Sequence, residues 1–228
     1  MSLYLWLNII TFGTIFLSFD KKVAFYKHFK ALFISILINA LIFIPWDSYF
    51  TSIGIWGFNE KYVLGTFFLN LPIEEWLFFI SVPFSCTFIH YVLKSYFKNP
   101  IQLKFSTKFW NYFSILILII GILNTDQLYT TTSFILCGIA LLLINKFKPY
   151  FMKDFMLTYL IALIPFIIVN SILTGSFTDS PIVWYNEHHI FGLRIGTIPI
   201  EDTIYNMFLL LIPVFITDFL SQKKITLQ

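Results

Sequence analysis

The sequence predicts an all-α fold: a polytopic membrane helical bundle of about seven spans, built as two parallel three-helix repeats joined by a linker helix. Three observations carry this. The chain is poor in charge, its apolar runs reach spanning length with lysines gathered in alternate loops, and one acidic segment occurs twice. Of 228 residues, 58% are hydrophobic and 12% charged, with mean hydropathy +0.80. Soluble domains carry about 25% charged residues, so too few charges exist here to cover a water-facing surface.

A spanning helix needs about 20 apolar residues. Seven stretches qualify as candidates: 3–19, 29–45, 73–93, 110–124, 129–146, 155–173 and 200–220, the fourth being the shortest. No basic residue precedes the first run and no small-residue cleavage site follows it, so 3–19 reads as a retained helix. Pro45 is expected to end the second span, and Pro72 and Pro199 to open the third and seventh. Pro83, Pro165 and Pro213 fall inside spans, where kinks are expected. Cys86 and Cys137 lie in apolar runs and read as buried thiols.

Lysines set the orientation. Lys21, Lys22, Lys27 and Lys30 follow the first span, and Lys94, Lys98, Lys104 and Lys108 the third. Lys146, Lys148 and Lys153 follow the fifth, and Lys223 and Lys224 the last. That places 13 of the 15 basic residues on one side, leaving Lys61 and Arg194 on the other with nine of the 12 acids. Basic loops stay cytoplasmic, which predicts an outer N-terminus and an inner C-terminus. The +3 net charge is thus a topology signal and calls for no nucleic-acid partner.

Residues 56–76 and 184–202 repeat one pattern. Asn59, Glu60, Gly65, Pro72, Glu74 and Glu75 recur as Asn186, Glu187, Gly192, Pro199, Glu201 and Asp202, each 127 positions later; Trp56 and Trp184 match with a one-residue gap. This predicts units over 1–96 and 128–228, with 97–127 holding a connecting helix that restores the orientation of the second copy. Both Pro-Ile-acid-acid motifs then open the last helix of their unit on the same side.

Proline followed by acids is an ordinary helix start. Two adjacent carboxyls kept in both copies, at the end of an apolar run where charge is costly, point further. Adjacent helical residues point about 100° apart, so one acid of each pair is expected to face a cavity and the other a neighbouring element. Acids crowded in an apolar cleft divide into a protonated donor and an ionised base. Trp56, Trp76, Phe78, Phe79, Trp184, Tyr185 and Tyr205 lie near the motifs, and aromatic faces stabilise cations; each ring also fits plain packing or an interfacial belt. Asn59, Glu60, Asn186 and Glu187 suit loop caps, and Gly65 and Gly192 backbone turns. His188 and His189 lack a third ligand at sensible spacing, so no metal site is expected.

The duplicated Asn-Glu and Pro-Ile-Glu-Glu/Asp pattern, in a chain of this length and topology, resembles the lycopene cyclase domain of the small membrane-integral carotenoid cyclases, in the form that fuses both repeats. The resemblance implies non-redox, acid–base cyclisation of the linear ends of lycopene to β-rings through a carbocation, as an intramolecular lyase or isomerase. It assigns Glu74, Glu75, Glu201 and Asp202 to catalysis, with Glu74 or Glu201 as proton donor, Glu75 and Asp202 as partner or base, and Pro72 and Pro199 in support. Trp56, Trp76, Phe78, Trp184 and Tyr205 become the cation-stabilising set. The implied location is a bacterial cytoplasmic membrane, and the implied partners are lycopene and lipid, with self-association or association with other carotenoid enzymes compatible. No G-x-G-x-x-G is present, so neither flavin nor nicotinamide is expected.

Three rivals come from other classes. A proton-coupled transporter of a small apolar or amphipathic solute would suit parallel repeats, but it calls for more mid-span polar groups than Asn39 and Asn170. A retinal protein needs a lysine in the seventh span, and 200–220 has none. A membrane prenyltransferase needs aspartate-rich diphosphate motifs, which are missing.

Overall fold

The computed structural model describes residues 2–97, 105–147 and 150–225, without the side chains of 222–225. Lys98, Lys104, Lys148 and the side chains of Lys223 and Lys224, used above for orientation, lie outside the described set. Eight helices run in chain order: α1 (Leu3–Phe12), the short α2 (Thr14–Leu17), α3 (Phe29–Ser52), α4 (Ile73–Tyr96), α5 (Thr107–Leu123), α6 (Leu128–Lys146), α7 (Met152–Leu173) and α8 (Glu201–Ile225). They coincide with the seven expected stretches if α1 and α2 are taken together.

Among the described residues, five helices are long and apolar enough to cross a membrane: α3 with its preceding turn, α4, α6, α7 and α8. Leu3–Leu17 and Thr107–Leu123 are apolar but shorter. At 1.5 Å per residue, the 17 residues of α5 span about 25 Å, against a hydrocarbon core of about 30 Å. Strands also interrupt the all-helical expectation. They are brief and confined to the segments before α4 and α8.

Two proline expectations are corrected. Pro45 does not end its helix: α3 continues through it to Ser52. A proline inside a helix removes one backbone hydrogen bond, a loss that helices of a membrane bundle tolerate. The extra turns carry Asp47 into the interior, where it is 2% exposed. Pro72 and Pro199 do not occupy the first helical position. Pro72 is the extended N-cap of α4, and Pro199 belongs to a strand that precedes α8.

The loops before α4 and α8 fold alike. β2 (Phe67–Phe68) pairs with β3 (Leu71–Pro72), and β5 (Arg194–Ile195) with β6 (Ile198–Pro199). Gly65 and Gly192 take left-handed backbone at φ +78° and +81°, a conformation that favours glycine. β1 (Trp56–Phe58) and β4 (Val183–Tyr185) pair antiparallel with each other, one strand from each copy of the repeated segment. Asn59 N–H donates to Ile182 O, and Asn186 N–H to Ile55 O, both at 2.8 Å. The exchange is reciprocal, as a local twofold relation requires. Gly57 sits at its centre, and a Cβ there would come within 2.4 Å of the Trp184 ring.

Helix packing follows the same pairing: α1 lies against α4 and α6 against α8, while α3 packs on both α4 and α8. The main core runs through all of these and holds Phe43, Phe79, Phe155 and Leu211 without exposure.

Candidate functional site

The two acids of each motif point different ways. Glu74 and Glu201, the first of each pair, are wholly buried and turn toward the repeated loop. Glu74 Oε1 accepts from the Leu64 N–H at 2.7 Å and the Ser2 hydroxyl at 2.5 Å. Glu201 Oε1 accepts from the Phe191 N–H at 2.5 Å and the Thr130 hydroxyl at 2.5 Å. Each of these carboxyls therefore ties its loop to the first helix of the same half. Neither lines the central cavity.

Glu75 and Asp202 do line it. Glu75 accepts from the Tyr4 hydroxyl. Asp47 lines the same cavity. Asp47 Oδ1 accepts from the Trp56 indole N–H at 2.5 Å, and its Oδ2 has no hydrogen-bond partner. Two carboxyls crowded into one small apolar cavity do not both stay ionised. Asp202 sits differently. The Tyr129 hydroxyl donates to Oδ1 at 2.6 Å, and Asn170 Nδ2 and the Tyr185 hydroxyl donate to Oδ2 at 2.6 and 3.1 Å. Three convergent donors are the surroundings of an accepting carboxylate. Tyr185 lies on β4, outside the spans. Its burial, and then the Asp202 charge, push its hydroxyl above the usual tyrosine pKa, so it stays a donor.

Aromatic rings close the space between these acids. The Tyr129 and Tyr185 rings stack with centroids 5.8 Å apart, and Trp56 meets Tyr129 edge-on at 5.0 Å. Tyr205, Phe78 and Phe166 complete the wall. The cavity volume is about 50 Å³.

Of the rings singled out by sequence, Trp56, Phe78 and Tyr205 reach the cavity and Trp76 and Trp184 do not. Trp76 donates its indole N–H to Phe68 O at 3.2 Å on the β2–β3 hairpin. Trp184 alternates with its neighbours along β4 and points to the other face, 42% exposed. Asn59 and Asn186 cap short turns, accepting from Lys61 N–H at 3.0 Å and His188 N–H at 3.1 Å. Glu60 is exposed, and Glu187 pairs with Arg194 at 2.6 Å; neither approaches the acids of the cavity. Among the described residues, no three His, Cys, Asp or Glu side chains form a set that could hold a metal ion.

Sequence reasoning missed Asp47, Tyr4 and Tyr129, and it gave Asn170 no role in the site. Tyr4 and Tyr129 are each the second residue of a helix, α1 and α6. That shared position was the available signal. The repeat alignment hides it, because Tyr4 and Tyr129 are 125 positions apart rather than 127.

A sequence model described as lycopene cyclase matches residues 1–93 and 126–220, leaving out the stretch that holds α5. Curated relatives include the bifunctional lycopene cyclase/phytoene synthases of Phaeosphaeria nodorum, 32% identical over 77 residues, and of Leptosphaeria maculans, 29% identical over 82. These matches cover 33% and 36% of this chain and 13% of each relative. The Gibberella fujikuroi enzyme of the same name is 32% identical over 79 residues, again 13% of its length. No solved structure matches. With the matched blocks taking in both acidic motifs and the helices that hold them, the chain belongs to the lycopene cyclase family.

Proposed function

We propose that this protein is a lycopene β-cyclase that converts linear ψ-ends to β-rings by acid–base chemistry, as an isomerase without net redox change. The observation that carries the reading is the asymmetric set of three carboxyls, Asp47, Glu75 and Asp202, around one small aromatic cavity. The family membership supplies the substrate class.

The Asp47–Glu75 pair holds the proton. It protonates the terminal double bond of the ψ-end and leaves a tertiary cation. The internal double bond attacks, a six-membered ring closes, and the cation moves to the ring. Asp202, aligned by Tyr129, Asn170 and Tyr185, removes the proton from the ring carbon that bears the chain, which forms the β-ring double bond. One proton enters and one leaves, so the product is an isomer. The proton gained at Asp202 returns to the pair before the next turnover. Trp56, Tyr129 and Tyr205 present ring faces to the cation, with the Trp56 indole N–H held by Asp47 and the Tyr129 hydroxyl by Asp202. Glu74 and Glu201 take a supporting role here, holding the loops that carry Trp56 and Tyr185 in place.

Lysine placement supports a site at the outer end of the bundle, with the C-terminus cytoplasmic, in a bacterial cytoplasmic membrane. The repeated segments support units over 1–96 and 128–228 joined through α5. Expression in a lycopene-producing bacterium with pigment analysis tests the function. γ-Carotene and β-carotene are expected; folded protein in the membrane with lycopene unchanged would refute the reading.

A further inference from the structure

A second cavity of about 300 Å³ lies between α1, α4 and α7, with Phe78, Phe166 and Asn170 in its wall. The same three residues line the carboxyl site. The two spaces therefore share a partition, and Asn170 touches Asp202 through it. The second space is of ligand size by the range of roughly 300–1,000 Å³ for small-molecule pockets. The carboxyl site, at about 50 Å³, is not: a cavity that admits benzene measures roughly 150 Å³.

The groove offers a guest almost nothing polar. Thr11 donates to Leu7 O at 2.8 Å, Thr14 to Thr11 O at 3.0 Å, and Ser85 to Thr11 O at 2.8 Å. Apart from Asn170, already bonded to Asp202, and the Cys86 thiol, its remaining wall is hydrocarbon, with Val82, Ile89 and Val169 on the two long helices. Ile10 and Ile168 on its rim are exposed at the apolar surface of the bundle. The equivalent seam on the other side of the local twofold, between α3 and α8, is filled. Phe43 meets Phe208 at 4.9 Å and Tyr205 at 5.1 Å, and Trp46 meets Tyr205 at 5.1 Å.

We propose that the α1–α4–α7 groove is the single lipid-side entrance of the site and holds the hydrocarbon chain of the polyene, with Phe78 and Phe166 as the partition that parts to admit one ψ-end. This rests on the linear-polyene substrate proposed above. A single entrance handles one end of the molecule at a time, so a two-ended product requires withdrawal and re-entry, and the one-ring intermediate accumulates at short times.

The test uses the full chain in two backgrounds. In the Glu75→Gln background, the protein is purified from lycopene-producing cells and bound polyene is read by absorbance. Adding Val169→Trp, which fills the groove, is expected to lower retained polyene about tenfold. Leu160→Trp, also on α7 but exposed and off the groove, should not. In the active background, Val169→Trp should lower turnover about tenfold and Leu160→Trp should leave it unchanged. If Val169→Trp does not fold, Val169→Cys is alkylated after folding with a bulky apolar maleimide, and the wild type is treated alike to account for Cys86. Full retention and full turnover with the groove filled would overturn the proposal. A wild type that retains polyene but forms no ring would instead sink the cyclase reading and leave the groove supported.

Discussion

The two acids of each Pro-Ile-acid-acid motif divide into unlike tasks, and substitution should separate them. Glu75→Gln and Asp202→Asn keep the shape of the site but remove an acid or a base, so cyclisation should fall by about 10²–10⁴, the usual worth of such groups. Pigment analysis of the membrane fraction reads this directly. Glu74→Gln keeps an oxygen for the Leu64 N–H and should retain most activity. Glu74→Ala leaves that N–H and the Ser2 hydroxyl without their acceptor, at a cost of about 1–3 kcal/mol, and should show as a lower unfolding midpoint in detergent. Retained ring formation in Glu75→Gln would move the chemistry elsewhere. Tyr185 adds a pH test. Its pKa lies above the ordinary tyrosine value, so the hydroxyl stays protonated up to at least about pH 10. The rate ratio of wild type to Tyr185→Phe should therefore be constant as pH rises to that point; a ratio that collapses at pH 8–9 would contradict the assignment.

Helix ends decide what the sequence could reveal. Adjacent carboxyls on a helix must diverge, and the division between loop and cavity follows from the 100° step alone. Which acid takes which side does not, because the answer depends on where α4 and α8 begin and how they rotate against α3. Asp47 was illegible for a related reason. Reading Pro45 as a stop places Asp47 in a loop, whereas the bundle tolerates the proline and continues α3 for two more turns, burying Asp47 and Phe50. Tyr4 and Tyr129 escaped because the match that aligns the loops slips by two residues at the first helices. The glycine turns were legible, and they offer a clean test. A Cβ at Gly65 or Gly192 meets nothing within 4 Å, so Gly→Ala there should cost only the left-handed backbone penalty of about 1 kcal/mol. Asn, which tolerates that conformation, should recover part of it in the same unfolding measurement.

At the scale of the molecule, neither half holds a site. Asp47 and Glu75 come from the first copy, Asp202 and its three donors from the second, and the wall of the cavity from both. Residues 1–104 expressed alone should make no rings, and co-expression with residues 105–228 should restore them. Pigment production by the first segment alone would break this account. The helices were largely legible because hydropathy is summed over many residues; the closure of one seam and the opening of the other depends on a few aromatic side chains and was not.

The reciprocal strand exchange has a further consequence. Gly57 lies under the Trp184 ring with no room for a Cβ, although the two residues are far apart in the chain. A side chain at Gly57 therefore requires a smaller or displaced residue at 184. Gly57→Ala should be damaging in this background and tolerated beside Trp184→Val, so that the double variant outperforms the first single one. In related sequences the two sites should change together, with a larger residue at one accompanied by a smaller residue at the other. Such paired change would mark the seam as the place where each copy of the repeat constrains the other.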